Sequence, residues 1–382
     1  MRALHLFANF KWTGPADPAI RAAAGLRALG ADVLFAQATY MHGDEHRMAR
    51  ELARARMPVT GDLELRKHFH VGSIWRDAGR LAARLRRGDF DLLHTHLPAD
   101  HLIGSLAKRR SRRNVLLLRT LHDPEPPARG PRARFAFANT DGVVVPTESC
   151  ARQFCARFGV ARERVLVQEP TTDPHRFTRV AGNLRHAFGF HAGHFAIGIT
   201  ARIQPHRRFE FLWEVARQVV DAEPNVRFVL LGRGNEHDTR TLVRDPIARL
   251  GLVENVVLPG YLYEPDYTRA LASLDLFTFL VPGSDGSCRA VREALAAGLP
   301  VVATKRGILP ELLGRREDDV APEPCGLLLE DDAALFATGI VKLIRNPEAR
   351  TRLRDAALLR TARRMDPVVA SRALLEFYAR LG

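Results

Sequence analysis

The chain has 382 residues, of which 46% are hydrophobic and 26% charged, a composition typical of a globular protein rather than of a disordered or membrane-spanning one. Its 57 basic residues, 52 of them Arg, outnumber 43 acidic residues and give a net charge of +14. The N-terminus has no signal-peptide core, no apolar run approaches the ~20 residues that span a bilayer, and the cysteines form no CxxC pair, so we expect a cytoplasmic protein of two or three domains.

The first half of the chain alternates short apolar runs with helical patterns, which predicts βαβ units and a parallel sheet. The predicted strands are residues 3–8, 32–37, 91–96, 114–122, 142–147 and 164–170. The predicted helices include residues 16–30, 44–56 and 73–87, and further helices are expected between the later strands. Continuous apolar runs of this kind suit strands that are buried on both faces.

The same pattern begins again after residues 169–182, a segment without periodicity that we interpret as a linker. The strands predicted beyond it are residues 195–201, 226–232, 255–261, 274–282, 299–304 and 326–330. The predicted helices are residues 207–220, 236–250, 265–273, 288–297, 307–313, 332–345, 347–364 and 366–380. We therefore predict two doubly wound α/β domains, residues 1–175 and 176–365, and a C-terminal helix within 366–382 that could cross back to the first domain.

The most informative segment, residues 279–304, predicts a buried strand, a Gly/Ser turn and a helix. Ser287 is the predicted N-cap of that helix. Three backbone amides would then lie at the helix start, those of Cys288, Arg289 and Ala290. Amides at the positive end of a helix dipole form a site for an anion such as a diphosphate. Glu293 lies about 7.5 Å further along the helix, at roughly 1.5 Å per residue, and could accept hydrogen bonds from sugar or ribose hydroxyls.

This segment resembles a pattern of the retaining glycosyltransferases of family 4, which have the GT-B fold. In that pattern an acidic residue and seven others precede the first Glu of the motif EAMAxGxPVVAT. Here Asp285 is followed by seven residues and Glu293, and the chain continues as ALAAGLPVVAT. Further segments that fit the family are residues 89–99, 118–123, 141–154, 199–216, 226–234, 256–279 and 326–354, so that the resemblance covers nearly the whole chain.

The resemblance implies two Rossmann-like domains that face a cleft, with the acceptor on the N-terminal side and the donor on the C-terminal side. It implies transfer of a hexosyl-type sugar from a nucleotide sugar to a cell-envelope glycan or lipid-linked acceptor, as in lipopolysaccharide or polysaccharide biosynthesis. The anomeric configuration would be retained, and neither a cofactor nor a metal ion would be needed.

The resemblance also implies roles for individual residues. Arg202 and Arg207 would bind the donor diphosphate, and His122 would face the donor sugar. The implied catalytic set is Asp285, His122, Arg202 and Arg207. The implied donor-binding set is Gly14, Arg202, Arg207, Ser287, Cys288, Arg289, Ala290 and Glu293.

Several positions depart from the family pattern. Asp285 replaces a Glu, Arg207 replaces a Lys, and Arg208 replaces a Gly. The usual Gly-Phe-Gly turn is Gly286-Ser287-Cys288, and Arg289 would add a third cation or would simply pair with Glu293 at i,i+4. The departures leave two alternatives: an inactive subunit of the same fold that binds a nucleotide sugar, and a sugar-nucleotide epimerase or hydrolase.

The positive charge is concentrated in the first half of the chain. Residues 1–180 carry 30 basic and 18 acidic residues, whereas residues 181–382 carry 27 and 25. This asymmetry, with the Arg clusters at 84–87 and 109–113, predicts a peripheral contact with the anionic inner face of the membrane. Solvated helix ends in an Arg-rich chain are the alternative. No recognition motif accompanies the charge, so we expect no nucleic-acid partner.

Three histidines of the first half, His94, His96 and His101, have the appearance of a metal-binding group. His94 and His96 are two residues apart at a predicted strand end, and no carboxylate or Cys is arranged to complete a site. We therefore expect these histidines to be satisfied by hydrogen bonds.

Overall fold

The computed structural model describes residues 2–40, 47–281, 288–315 and 322–382. It divides into two compact units. Unit 1 comprises Met1–Thr171 with Arg364–Gly382, and unit 2 comprises Thr172–Arg363. Each unit is built on its own parallel sheet with helices between the strands, which confirms the predicted fold class of two doubly wound α/β domains. None of the helices in the described ranges has the length and apolar character needed to cross a bilayer.

Unit 1 contains a seven-stranded sheet and its crossover helices. The strands are β1 Arg2–Phe7, β2 Asp32–Gln37, β3 Val59–Thr60, β4 Leu92–Thr95, β5 Leu116–Thr120, β6 Gly142–Val145 and β7 Val165–Val167. The helices are α1 Ala16–Ala28, α2 Arg47–Arg54, α3 Val71–Arg87, α4 Pro98–Ser111, α5 Pro131–Ala138 and α6 Glu148–Phe158. The sequence did not predict β3, because a strand of two residues is too short to show a period.

Unit 2 contains a six-stranded sheet. The strands are β8 Phe195–Thr200, β9 Val226–Leu231, β10 Val256–Gly260, β11 Leu276–Phe279, β12 Val301–Thr304 and β13 Gly326–Leu329. The helices are α7 His175–Thr178, α8 Phe209–Ala222, α9 Glu236–Thr239, α10 Asp245–Arg249, α11 Asp266–Leu271, α12 Arg289–Ala296, α13 Leu309–Leu313, α14 Ala333–Arg345 and α15 Pro347–Arg360. A π-helical turn, Arg240–Arg244, joins α9 to α10 where a single helix was predicted.

Both sheets reverse their strand order at one position. In unit 1 the order is β3-β2-β1-β4-β5-β6-β7, so the reversal lies between β1 and β4. In unit 2 the order is β10-β9-β8-β11-β12-β13, and the reversal lies between β8 and β11. Loops diverge to opposite faces of the sheet at such a switch point and leave a crevice at the carboxyl ends of the strands. The geometry therefore directs attention to the loops after these four strands.

The last helix of the chain, α16 (Pro367–Leu381), belongs to unit 1 although it follows unit 2 in sequence. It lies against α1 so closely that a Cβ on Gly25 would be 2.3 Å from the Oγ of Ser371. Three of its buried residues join the core that contains Phe7, namely Leu374, Phe377 and Tyr378. A helix that contributes large side chains to a core is a structural part of that domain.

We expect Phe377→Ala to destabilise unit 1 by about 3–5 kcal/mol, because Phe377 is only 2% exposed and its removal leaves a cavity. The measurement is limited proteolysis across a urea series, with mass spectrometry to identify which unit is cut. Val369, on the same helix but 42% exposed, provides the control Val369→Ala, which should change little. Equal effects of the two substitutions would show that α16 is not part of the core.

Candidate functional site

The loop after β8 is held to the loop after β9 by main-chain hydrogen bonds. Ala201 N–H donates to the Leu231 carbonyl and Ile203 N–H donates to the Arg233 carbonyl, each at 3.0 Å. Gly232 permits this approach, because a Cβ there would lie 1.9 Å from the Ala201 carbonyl oxygen. The side chain of Arg202, between these two anchored residues, is exposed at the carboxyl end of the strand.

The next cation of the loop is directed at the neighbouring strand. Arg207 closes a short 3-10 turn, Pro205–Arg207, and its Nη1 donates to the Val281 carbonyl oxygen at 3.0 Å. Val281 is the last described residue before residues 282–287. Arg207 therefore lies at the switch point between β8 and β11. The sequence resemblance implied that this residue binds the donor diphosphate.

The family pattern has Gly at position 208, and the backbone explains why. Arg208 takes a left-handed conformation with φ of 59°. This conformation costs about 1–2 kcal/mol in a residue with a side chain. The side chain of Arg208 forms an ion pair of 2.6 Å with Asp331. Arg208 thus adopts a backbone conformation that a glycine takes without strain.

The anion site predicted at the start of α12 begins one residue later than expected. The N-cap is Cys288, which is buried and has φ of 47°, and the helix starts at Arg289. The first helical hydrogen bond runs from Val291 N–H to the Cys288 carbonyl, so the amides of Arg289 and Ala290 precede the repeating pattern. Asp285 and Ser287 lie outside the described residues.

Glu293 is the centre of a polar cluster within unit 2. It is 4% exposed, and the hydroxyl of Tyr267 donates to its Oε2 at 2.7 Å. Arg289 Nε donates to Oε1 at 2.9 Å, and Arg176 Nη1 lies 3.6 Å from the same oxygen. Arg176 also pairs with Glu264. Burial, and then the charge of Glu293, raise the pKa of Tyr267 well above its usual value, so this hydroxyl remains a donor.

Tyr267 and Arg176 were not identified from the sequence. Arg176 lies in the segment that was interpreted as a linker, and Tyr267 follows a turn in which no local pattern indicates a function. Both are recognised only by their contact with Glu293. The i,i+4 pairing of Arg289 with Glu293, left open by the sequence, is present.

Four histidines of unit 1 form a second polar cluster. His5 on β1 is in register with His94 on β4, and His94 and His96 share one face of the chain because they are two residues apart. His5 Nδ1 lies 3.1 Å from His96 Nε2, and His96 Nδ1 lies 3.3 Å from His122 Nε2. His122 is two residues beyond the end of β5 and 9% exposed. The cluster therefore runs from within β1 and β4 to His96 and His122, which follow the carboxyl ends of β4 and β5.

The members of this cluster differ in part from the group considered in the sequence, which was His94, His96 and His101. His101 lies apart from the cluster and bonds the Thr140 hydroxyl at 2.7 Å. His5 belongs to the cluster, although no pattern in the sequence selects it. Nitrogen atoms of His5, His94 and His96 lie within 4.8 Å of one another, which is close enough for one metal ion. His94, however, bonds Tyr378 at 2.5 Å and Thr120 at 2.6 Å, and a metal ion would have to displace one of these partners.

Burial sets the charge state of this region. It lowers the pKa of His5 to about 3 and holds the pKa of His94, His96 and His101 well below 6.5. The nearby Asp100 is fully buried and accepts hydrogen bonds from the backbone amides of Ala8, His96 and Leu97. Burial raises its pKa to about 7, although Arg119 at 3.6 Å opposes that shift.

Gly14 follows β1 in a turn that leads into α1, in which Ala16 N–H donates to the Thr13 carbonyl at 3.0 Å. Its φ does not lie in the left-handed region, so any advantage of glycine here comes from the absence of a side chain. Gly14 and His122 thus follow strands β1 and β5 of the first sheet, whereas Arg202, Arg207 and Glu293 follow strands β8 and β11 of the second.

Two family models match the chain. Residues 19–176 match "Glycosyltransferase Family 4" and residues 194–346 match "Glycosyl transferases group 1". The chain belongs to the family 4 glycosyltransferases. The D-inositol 3-phosphate glycosyltransferase of Salinispora arenicola is 27% identical over 318 residues, which cover 76% of this chain and 67% of the relative. That of Mycolicibacterium smegmatis is 27% identical over 328 residues, which cover 79% and 71%.

Solved structures agree in fold. Anabaena HepE in complex with UDP superimposes with a TM-score of 0.79 at 20% identity, over the full length of both chains. The same protein in complex with UDP-glucose gives a TM-score of 0.74. At this identity the comparison shows the fold of this chain alone, and it agrees with the GT-B fold implied by the sequence resemblance.

The buried histidines predict that unit 1 loses stability in acid. Because their pKa values are lowered in the folded state, the unfolded state binds more protons below pH 6.5, and stability falls as the pH decreases from there. Between pH 7 and pH 5, each buried histidine lowers the free energy of unfolding by about 2 kcal/mol. Asp100 acts in the opposite direction because its pKa is raised in the folded state, and it offsets the loss from about one histidine.

The test compares wild type with His101→Phe. This substitution removes one histidine that binds a proton on unfolding, while Thr140 keeps its bond to the Ala136 carbonyl. Urea unfolding of unit 1 at pH 7 and pH 5 should show a loss smaller by about 2 kcal/mol in the variant. Trp213, the one tryptophan of unit 2, reports that unit as the internal control. Identical pH dependence in the two proteins would contradict the assignment of a neutral, buried imidazole.

Proposed function

We propose that this glycosyltransferase moves a hexosyl-type sugar from a nucleotide sugar to an anionic cell-envelope acceptor, a glycan or a lipid-linked or phosphorylated molecule, with retention of anomeric configuration. The observation that carries the proposal is the cluster around Glu293. A buried carboxylate, oriented by Tyr267 and Arg289, lies one turn beyond a helix start at the switch point of the sheet. This arrangement suits a nucleoside diphosphate, whose hydroxyls face the carboxylate and whose phosphates face the helix start.

The chemistry follows from the charges. Breaking the anomeric C–O bond leaves a nucleoside diphosphate with new negative charge, and Arg202, Arg207, Arg289 and the first amides of α12 would stabilise that charge as it develops. Asp285, Glu293 and His122 would hold carbohydrate hydroxyls and so orient the sugar. Because the protein supplies these cations itself, we propose that transfer needs neither a metal ion nor a cofactor.

The relatives support the choice of partners. HepE was solved with UDP and with UDP-glucose, which supports a uridine nucleotide sugar as the first donor to test. The relatives named for D-inositol 3-phosphate act on a phosphorylated acceptor by that name, in keeping with the positive charge of the first half of this chain. An inactive binding subunit would bind the donor without turnover, and an epimerase or hydrolase would consume it without an acceptor.

We expect Glu293→Ala and Arg207→Ala each to reduce transfer at least tenfold, because each removes a group that holds the donor. The assay is release of nucleoside diphosphate with and without an acceptor, after a screen of nucleotide sugars by thermal shift. Arg244→Ala is the matched control, since Arg244 in unit 2 is 59% exposed and pairs with Glu236 on the surface. Near-normal rates in both site variants, with circular dichroism unchanged, would contradict the site assignment.

The structure divides the basic residues of unit 1 into two groups. At the end of α3, Arg84 and Arg87 pair with Asp62 and Asp89, which neutralises much of the cluster at residues 84–87. Cations near the start of α3 instead cover exposed aromatic rings. The guanidinium of Arg132 lies 3.5 Å from the ring centroid of Phe69, and that of Arg110 lies 4.8 Å from Trp75.

The two aromatic residues, their two cations and the exposed Val71 define a basic aromatic surface, which consists of Phe69, Val71, Trp75, Arg110 and Arg132. Its three apolar side chains are each 50–54% exposed. Aromatic rings that are interleaved with Arg suit the interfacial region of an anionic bilayer, where the ring enters the headgroup layer and each cation near the surface adds about 1 kcal/mol. We propose this surface as the site of peripheral contact with the inner leaflet.

The test is co-sedimentation with vesicles of phosphatidylcholine, with or without phosphatidylglycerol. At low salt we expect binding only to the anionic vesicles, with a several-fold loss in Trp75→Ala and in Arg110→Ala and a loss of binding at high salt. Val253→Ala is the control, because Val253 in unit 2 is 61% exposed and lies outside the surface. Wild-type protein that stays in the supernatant with anionic vesicles would refute membrane contact.

A further inference from the structure

The histidine cluster contains a continuous hydrogen-bonded column of three side chains. His5 Nδ1 meets His96 Nε2 at 3.1 Å, and His96 Nδ1 meets His122 Nε2 at 3.3 Å. His5 is fully buried and His96 is 1% exposed. Burial holds the pKa of both below the physiological range, so each ring carries one proton. A neutral imidazole has one donor nitrogen and one acceptor nitrogen, and the two bonds of the column must therefore run in the same direction.

Two directions are available to the column. In the first, His5 donates to His96 and His96 donates to His122, so that His122 accepts at Nε2. In the second, His122 donates to His96 and His96 donates to His5. The second direction places the proton of His5 on Nε2, whereas the first leaves Nε2 as a bare lone pair.

The far end of the column decides between these directions. His5 Nε2 is buried, and among the described residues it has no hydrogen-bond partner. A buried N–H without an acceptor costs more than a buried lone pair without a donor, and such orphaned N–H groups are rare in folded proteins. The first direction is therefore the stable one. It requires His122 to accept at Nε2 and to carry its proton on Nδ1.

We propose that His5 and His96 are positioning residues that fix His122 as the neutral tautomer with its proton on Nδ1. Protonation of His122 on Nε2 would force the reversal of both bonds and would create a buried, unpartnered N–H on His5. The column thus resists a positive charge on His122 while it orients the ring. In this tautomer His122 is a hydrogen-bond donor at Nδ1.

This inference deepens the proposed function at one point: there His122 faces the donor sugar, and its Nδ1–H would donate to a sugar oxygen. A neutral ring suits that position, because an imidazolium would repel the positive charge that develops at the anomeric carbon as the leaving group departs. The tautomer itself rests only on the column and can be measured without substrate.

The test is long-range proton–nitrogen correlation NMR on uniformly ¹⁵N-labelled full-length protein, which identifies the protonated nitrogen of each histidine. The signals of His122 are assigned by their loss in His122→Asn. We expect a single tautomer with the proton on Nδ1 in wild type. A proton on Nε2, a mixture of tautomers, or a doubly protonated ring at neutral pH would overturn the proposal.

Variants at position 96 test the cause. His96→Phe removes the donor, and we expect His122 to become a mixture of tautomers and transfer to fall about tenfold in kcat. His96→Asn places an amide donor near Nδ1 of the replaced ring and should restore the single tautomer and most of the rate. His94→Phe is the control for loss of a buried histidine, because the ring of His94 stacks on that of His96, 4.7 Å away, but is not part of the column.

The two proposals can fail separately. If His122 keeps its Nδ1 proton in His96→Phe, the column does not set the tautomer, and the inference is wrong whatever the enzyme transfers. If the tautomer responds as expected but no nucleotide sugar is turned over, the proposed function is wrong and the role of the column stands. Thermal unfolding of each variant shows that the comparison is made on folded protein.

Discussion

The parallel pairing of the strands is the constraint on which the rest of the structure depends. Parallel strands require crossover helices, and a sheet that grows first to one side and then to the other must reverse its order at one position. Here the reversals lie between β1 and β4 and between β8 and β11. The candidate site residues of each unit follow these strands or their neighbours, so the topology of each unit brings together residues that are far apart in the chain.

Buried polar groups at these positions need hydrogen-bond partners, and the partners fix their orientation. A carboxylate that is 4% exposed is costly without partners, and the contacts of Glu293 with Tyr267, Arg289 and Arg176 compensate it while fixing its orientation. The histidines of unit 1 follow the same rule with neutral groups. Their bonds to one another, to Tyr378 and to Thr120 replace water. The direction of the bonds that join His5, His96 and His122 follows from His5 Nε2, which has no partner among the described residues. In both units, therefore, the requirement to satisfy buried polar atoms also orients the site.

Two departures from the family pattern fall at residues with a left-handed backbone. Arg208 and Cys288 occupy positions where the family has glycine, and both adopt the left-handed backbone that glycine would take freely. Arg208 is held by Asp331 and Cys288 by burial at the start of α12. In the basic half of the chain, several arginines also have partners. Acidic neighbours neutralise the Arg cluster at the end of α3, whereas the cations beside Phe69 and Trp75 cover aromatic rings.

The sequence by itself determined the fold class, nearly all the strands and the family, and it selected Glu293 and Arg207 as candidate site residues, because these depend on local periodicity and on contiguous motifs. It did not determine the partners of those residues. His5 and His96 are 91 positions apart, and His94 and Tyr378 are 284 apart. Arg176 reaches Glu293 from a segment without a pattern of its own. Only the tertiary structure decided these contacts, because strand order and the return of α16 to unit 1 bring distant residues together, and no local signal records which residues will meet.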